Sequence, residues 1–375
     1  MTLDAKPLVH IVGLGSMGAI LAVDLLRFAD CSIVPLFRSK NRLEQFQNET
    51  QNTVSVRKLY LENSPLFEKK LQLSSSPETF KPTHIKNIVI TTKTYQTKDS
   101  LKPYLPYIDN NTNLILIQNG LGVLEVLRSE VFTDINKRPN LFQGVISHGC
   151  FQDKDHPFRF NHAGAADLKI ARLPWDPEDM VQSLDSLRVD TQENELVRLL
   201  TGNPFAKEFG VKFMTYQELL LGQLYKFLVN ACMNSVTATL DCVNGEMAGH
   251  CSSVFELIVK ESLQVLRAAY EPFFRYEKDY SNKKDYPELA INSVLDAEKM
   301  VKDVEYIGCV VNSKNSSSMR QDTLYLRDTE IDYINGYVVR LGEKYNIDTN
   351  ANRMIKELVN LRLHLNRSRA AVAAK

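Results

Sequence analysis

The apolar run Leu8-Val9-His10-Ile11-Val12 passes directly into Gly13-Leu14-Gly15-Ser16-Met17-Gly18 and then into AILAVDLLRFA. In that last stretch Ile20, Leu21, Leu25 and Phe28 take apolar helical positions. Strand, GxGxxG and helix in this order constrain the chain more than any other feature. Gly13 makes the tight turn, Gly15 opens the backbone to a pyrophosphate, and Gly18 lets helix and strand pack closely. The pyrophosphate then sits on the helix amino terminus, where free N–H groups and the macrodipole favour anions. An α/β domain that binds a dinucleotide through Gly13, Leu14, Gly15, Ser16, Met17 and Gly18 is expected.

The next apolar run, SIVPLF, reads as the second strand. A site for NAD ends this strand with Asp or Glu, about 20 residues past the glycines, to hold the ribose diol. Here the position carries Arg38, with Lys40 and Arg42 close behind. Cations suit a 2′-phosphate, so NADPH/NADP is favoured over NAD. Pro35 is awkward in a strand expected to be internal, because proline removes a ladder donor. Residues 43–85 are polar, with VSVRKLYLE a candidate strand and SSSPETFKP a loop.

Buried parallel strands follow at residues 87–92 and 113–117, ending in Lys93-Thr94-Tyr95-Gln96 and Gln118-Asn119-Gly120. The carboxyl ends of parallel strands are where α/β sheets bind ligands, which makes Lys93, Gln96 and Asn119 candidates. GVISHGC and LKIARL read as further strands, and the acidic stretch 174–195 as a surface insertion. His148 and His162 stand out, yet no His, Asp or Glu group has metal-ligand spacing and no Ser-His-Asp order is visible.

After Val211-Lys212-Phe213-Met214 helical periodicity takes over. Thr215 and Glu218 have capping-box spacing ahead of LLLGQLYKFLVNACM. In that helix Lys226, Asn230 and Asn234 recur every four residues, one narrow stripe on an otherwise apolar surface. With Asn244 they form a row of hydrogen-bond donors suited to a polar ligand. Further on come the polar patch NSSSMRQD (315–322) and TEIDYINGY, whose Thr329 and Asp332 have cap spacing that puts Glu330 in a first helical turn.

Composition removes several classes. Equal numbers of acidic and basic residues, a formal charge of +0, give no global reason to bind nucleic acid or an anionic membrane. The six cysteines have no ligand spacing, as in a reducing compartment. No apolar run is long enough to cross a membrane, and the start leaves little room for a leader, so a cytoplasmic location is expected.

GLGSMG, TTKTYQT, IQNGLG, the Lys226/Asn230/Asn234/Asn244 row, SSSMRQD and TEIDYINGY occur in the order found in the ketopantoate reductase (2-dehydropantoate 2-reductase) family, which the chain resembles from residue 8 to about 345. The resemblance implies a Rossmann domain at 1–212 and an all-α domain at 213–375, similar to the C-terminal domain of 6-phosphogluconate dehydrogenase, with an active site in the cleft between them. It further implies NADPH-dependent reduction of 2-dehydropantoate to (R)-pantoate, with Lys226 as general acid and Glu330 working beside it. Asn230, Asn234 and Asn244 match substrate-binding amides, and Ser318 the hydroxyl on the substrate carboxylate. Lys93 and Asn119 match residues near nicotinamide and substrate, Arg38 the 2′-phosphate ligand; Glu330 is also placed near the cofactor. A small-molecule 2-oxo acid is the expected partner, for a monomer or a homodimer. HAGAAD departs from the family's HxGxG stretch by lacking its second glycine. A reductase of another branched 2-oxo acid, and a non-catalytic relative that kept the fold, remain the alternatives.

Overall fold

Apolar runs buried on both faces become the parallel strands of a covered sheet, and this chain has several. In the computed structural model, which describes residues 6–373, they are β1 (Leu8–Val12), β2 (Ser32–Leu36), β5 (Asn87–Ile90), β6 (Asn113–Ile117) and β7 (Asn140–Ile146). These five pair in parallel. With β10 (Leu168–Arg172), antiparallel to β7, and β11 (Val211–Phe213) they make a seven-stranded sheet ordered β11-β10-β7-β6-β5-β1-β2. A second sheet takes β3 (Thr53–Lys58), β4 (Leu66–Lys70), β8 (Gly149–Gln152) and β9 (Arg159–Gly164) in the order β4-β3-β9-β8.

Helix α1 (Ser16–Phe28) packs against β1 and β2 of the first sheet and against all four strands of the second. A helix covered this way must be apolar around its circumference, and Gly18 to Leu25 are all buried. Asp24 is the exception. Its carboxylate accepts from Lys58 Nζ at 2.8 Å and Arg27 Nη1 at 3.0 Å, which offsets the cost of placing a charge there.

One local expectation needs correction, and two stretches gain detail. β2 is an edge strand, not an internal one. The Pro35 carbonyl accepts from Ser75 N–H and Phe37 N–H donates back to Ser75, both on the outer side. In a parallel strand a residue's N–H and C=O point the same way, so Pro35 lacks only an outward donor and the pairing with β1 is intact. The polar stretch 43–85 supplies α2 (Lys40–Thr50) in part and both β3 and β4. The acidic stretch 174–195 is largely helical: α3 (Leu184–Glu193) turns Asp190 inward onto the Arg172 guanidinium.

By contact grouping, one unit takes the chain up to Gln118 with Leu124–Leu219, and the other takes Asn119–Val123 with the chain from Leu220 on. Among its described residues the second carries helices and no strand: most of α4 (Tyr216–Leu240), then α5 (Ser252–Ala269), α6 (Ala297–Glu305), α7 (Ser318–Leu324), α8 (Asn335–Tyr345) and α9 (Asn350–Ala373). The Glu218 carboxylate accepts from Thr215 N–H at 2.9 Å and Thr215 Oγ1 at 2.7 Å, closing the start of α4 as the spacing predicts. No helix among the described residues is long and apolar enough to cross a membrane.

Candidate active site

The glycine turn after β1 is shaped for a ligand rather than for packing alone. Gly13 has φ +94°, and a Cβ there would meet Thr92 at 2.9 Å. At Gly18 a Cβ would lie 2.2 Å from the Gly13 carbonyl oxygen and 2.7 Å from Thr91 Oγ1, so helix and strand touch through this residue. A Cβ on Gly15 would meet nothing within 4 Å. Close packing excludes a side chain at two of the glycines; at the third the space is open. Gly15 also caps α1 without any side-chain bond, and the first turn carries no acid, so its amide dipoles are left to an incoming anion. Leu14 is buried, which leaves its backbone to face a ligand; Ser16 and Met17 are half-buried.

At the end of β2 Arg38 is exposed, and no salt bridge to it occurs among the described residues. Its charge, after burial, holds the Arg42 guanidinium below its usual range, while Arg42 lies over the Phe158 ring at 4.0 Å. Ser39 caps α2 by accepting from Arg42 N–H. Two cations therefore stand together at the start of α2, a setting that suits a phosphate monoester. At the carboxyl end of β5, Lys93 is half-buried and precedes a 3₁₀ turn at Thr94–Gln96. Gln118 is buried and joins the ends of β5 and β6, its Nε2 donating to the Thr92 carbonyl at 2.8 Å.

In the second unit Lys226, Asn230 and Asn234 lie half-buried along α4, flanked by buried Phe227, Leu228, Ala231 and Met233. Asn234 Nδ2 reaches Ser318 Oγ at 3.5 Å, a long contact that brings two expected ligands together. Ser318 is exposed at the start of α7; its neighbour Ser317 is the buried one, capping α7 at Arg320 N–H with its Oγ 2.7 Å from Thr237 Oγ1. Asn244 stands in a 3₁₀ turn fixed by its own N–H to the Asn315 carbonyl (3.0 Å) and Gly245 N–H to Ser313 (2.8 Å). Its Oδ1 is buried without a hydrogen-bond partner. Arg320 is committed to Asp241 at 2.9 Å and Ser316 at 3.0 Å.

Glu330 is not in the first turn of a long helix. It is 5% exposed and precedes a single 3₁₀ turn, Ile331–Tyr333, before α8 begins at Asn335. So short a turn has little dipole to reward a carboxylate, and burial is the more telling property. The exposed Asn119 belongs to the same unit. Leu121 N–H donates to the Tyr333 carbonyl at 3.0 Å, and Gly120, at φ +79°, leaves no room for a Cβ against that carbonyl. Among the described residues no group of three His, Cys, Asp or Glu could hold a metal ion.

Two family models match the chain: "Ketopantoate reductase PanE/ApbA" over residues 9–175 and its C-terminal counterpart over 218–362. The chain belongs to the ketopantoate reductase family. It is 59% identical to the 2-dehydropantoate 2-reductase of Saccharomyces cerevisiae over 373 residues, 99% of this chain and 98% of that protein. A Schizosaccharomyces pombe protein named probable 2-dehydropantoate 2-reductase is 36% identical, with 96% and 98% covered. Among solved structures, a ternary D-mandelate dehydrogenase complex with NADH and anilino(oxo)acetate has a TM-score of 0.71 at 19% identity, covering 96% of this chain and 99% of that one. The 2-dehydropantoate 2-reductase of Methylococcus capsulatus gives 0.66 at 15%, with 96% and 97% covered. At such identities the structures establish the fold: a sheet domain followed by a helical one.

Within this ketopantoate reductase family member, the glycine of HxGxG that the sequence lacks falls on Ala166. The residue does not have a positive φ, and its N–H donates to His148 Nδ1 at 3.2 Å, so alanine serves there without strain. One side chain of the helical unit went unnoticed in the sequence. Asn335, inside TEIDYINGY, is fully buried and bonds the Ala231 carbonyl of α4. Its position in a motif was visible; its burial was not, because a short 3₁₀ turn before α8 hides the helical phase.

Proposed function

We propose that this chain catalyses the NADPH-dependent reduction of 2-dehydropantoate (ketopantoate) to (R)-pantoate, a step of pantothenate and coenzyme A biosynthesis. The observation that carries this reading is the 59% identity, over nearly both whole chains, to the yeast 2-dehydropantoate 2-reductase. The arrangement of polar groups supports it residue by residue. Residues 1–212 carry the cofactor and 213–375 most of the substrate contacts.

The open Gly15 backbone and the uncapped amino terminus of α1 fit a pyrophosphate, held along Gly13 to Gly18. Arg38 beside Arg42 fits a 2′-phosphate, which favours NADPH. The bound nicotinamide supplies hydride to the substrate ketone. Negative charge then grows on the carbonyl oxygen, and Lys226 donates the proton that quenches it. Glu330, buried, sets the orientation and protonation of that lysine and lies near the cofactor. Asn230, Asn234 and Asn244 hold the polar groups of the substrate, with the orphaned Asn244 Oδ1 an acceptor awaiting a donor. Ser318, within reach of Asn234, takes the carboxylate. Lys93 and Asn119 line the approach of nicotinamide and substrate. Cytoplasmic location and a monomeric or homodimeric state complete the proposal.

Loss of nicotinamide absorbance with purified protein, NADPH and ketopantoate, set beside other branched 2-oxo acids, tests this. Turnover with ketopantoate far above the others is expected. A clear preference for another acid would move the substrate while keeping the chemistry. Tight NADPH binding with no turnover on any of them would reject the reductase reading.

A further inference from the structure

The glycine turn, the amide stripe and the Glu330 carboxylate belong to the function proposed above. What fixes the stripe in place is a separate question. Ser235 Oγ, Thr237 Oγ1 and Thr239 Oγ1 each donate to the carbonyl four residues back on α4: Ala231, Met233 (2.6 Å) and Ser235 (2.9 Å). Hydroxyls that bond back in this way loosen and bend a helix. Three in succession, directly after Asn230 and around Asn234, leave this end of α4 dependent on outside ties. One tie is a side chain. Asn335 Nδ2 donates to the Ala231 carbonyl at 3.1 Å, one residue beyond Asn230 and on the same carbonyl that Ser235 uses.

Asn335 is itself anchored. It donates to Asn352 Oδ1 at 3.0 Å, and Asn352 donates through Nδ2 to Glu261 Oε2 at 3.0 Å and to the Ile258 carbonyl at 3.3 Å. The Glu261 carboxylate also accepts from the N–H groups of Ala351 and Asn352, holding the amino terminus of α9 on α5. All three side-chain amides and acids converge on the first residue of α8, two residues after the turn that follows Glu330. The cost of this arrangement is visible, for Asn335 Oδ1 is buried without a hydrogen-bond partner. An unsatisfied buried oxygen is unfavourable, so an apolar residue of the same volume suits the core better. An amide that is a poor choice for packing is a good choice for holding one helical carbonyl at a fixed distance.

We propose that Asn335 is a positioning residue for the reaction: it locks the Asn230–Asn234 turn of α4 to the Glu330 turn, and so sets the Glu330 carboxylate against the Lys226–Asn230–Asn234 row. The proposal rests on the assignment of Lys226 and Glu330 above. It does not require Asn335 to touch substrate or cofactor.

Asn335→Leu and Asn335→Asp test it, the first removing the donor at constant volume and the second at constant shape. At least one is expected to fold with a Tm near that of the parent. kcat/KM for ketopantoate should fall roughly 10–100-fold with a raised KM, as displacement of a positioned group does, while the NADPH Kd from nucleotide fluorescence stays within about twofold. Amide hydrogen exchange should quicken at residues 231–235 and 330–335 and stay unchanged along Ser252–Ala269. A merely structural residue would lower Tm, exchange protection across the unit and NADPH-competent fraction together, leaving KM as it was; that pattern, or unaltered exchange at 231–235, overturns the proposal. Lys226→Ala run in parallel separates the two levels. If it turns over normally, the acid assignment fails while the exchange result still decides whether Asn335 holds α4.

Discussion

The two halves of the machinery are built from different materials. In the first unit the nucleotide turn is backbone: three glycines, one shaped by a positive φ, one by contact with Gly13 and Thr91, one by open space. In the second unit the proposed contacts are side chains, an ammonium and several amides and hydroxyls on α4, the Asn244 turn and α7. Backbone recognition tolerates almost any neighbour but almost no Cβ. Side-chain recognition tolerates backbone change and fails when one functional group is removed. Substitutions should therefore separate binding from chemistry along the division between these two materials.

The largest effect expected is that of Lys226→Ala. Loss of a positioned acid typically removes 10²–10⁴-fold, so kcat for ketopantoate should fall by about that factor. NADPH affinity, proposed to rest on the glycine turn, should hardly move. A fall in both together would break the comparison by showing that α4 also organises the nucleotide. Arg38→Ala comes next. A charged hydrogen bond to a phosphate contributes about 1.5–3 kcal/mol, so NADPH should bind roughly 10–100-fold more weakly with NADH little affected. Equal loss of both nucleotides would make Arg38 a structural residue and shift the 2′-phosphate to Arg42.

Gly15→Ala and Gly18→Ala sharpen the same contrast inside six residues. The added methyl at position 15 meets nothing, so Tm should hold while NADPH affinity drops about tenfold, the loss of about one charged hydrogen bond. At position 18 the methyl falls 2.2 Å from a carbonyl oxygen, so Tm itself should drop. Thermal melts with and without NADPH check both; a lower Tm for Gly15→Ala without nucleotide would deny that its space is reserved for a ligand.

These differences also explain what the sequence disclosed. The glycine turn was legible because its spacing is the chemistry: nothing distant is needed to say which glycine meets what. The Lys226/Asn230/Asn234 stripe was legible for a similar reason, since a four-residue interval on a helix fixes a face. Pro35 was misjudged because strand order is a long-range property, and β3 leaves the first sheet to found a second one beside α1. Asp190 was hidden in an acidic stretch because only the tertiary partner, Arg172, makes its burial tolerable. Glu330 was misplaced by a few residues for want of knowing that its turn is 3₁₀. The anchoring chain Glu261–Asn352–Asn335 joins three helices and has no local signature at all.

The last contrast concerns acid. His10, His148 and His162 are buried in the first unit, whereas His250 and His364 of the second are exposed. Burial pushes all three buried imidazoles down; for His162, with the neighbouring His148 and Lys58 adding to it and Asp24 opposing, the fall is from 6.5 to about 4. His148 Nδ1 accepts from Ala166 N–H and lies 3.0 Å from His162 Nε2, and its own Nε2 reaches the Phe209 carbonyl at 3.0 Å, an arrangement that serves two neutral rings. Between about pH 6.5 and 4 the unfolded chain binds protons that the folded one refuses. Stability from His162 is thus complete above pH 6.5 and is lost as the pH falls towards 4, by up to about tenfold in the folding constant per pH unit, and His10 and His148 add to the loss in the same direction. Amide exchange along β1 and β9 should therefore quicken over that interval before exchange in α5 and α8 does. His162→Asn should flatten the response, since an amide has no proton to take up; simultaneous acid opening of both units, unchanged in that variant, would place the sensitivity elsewhere.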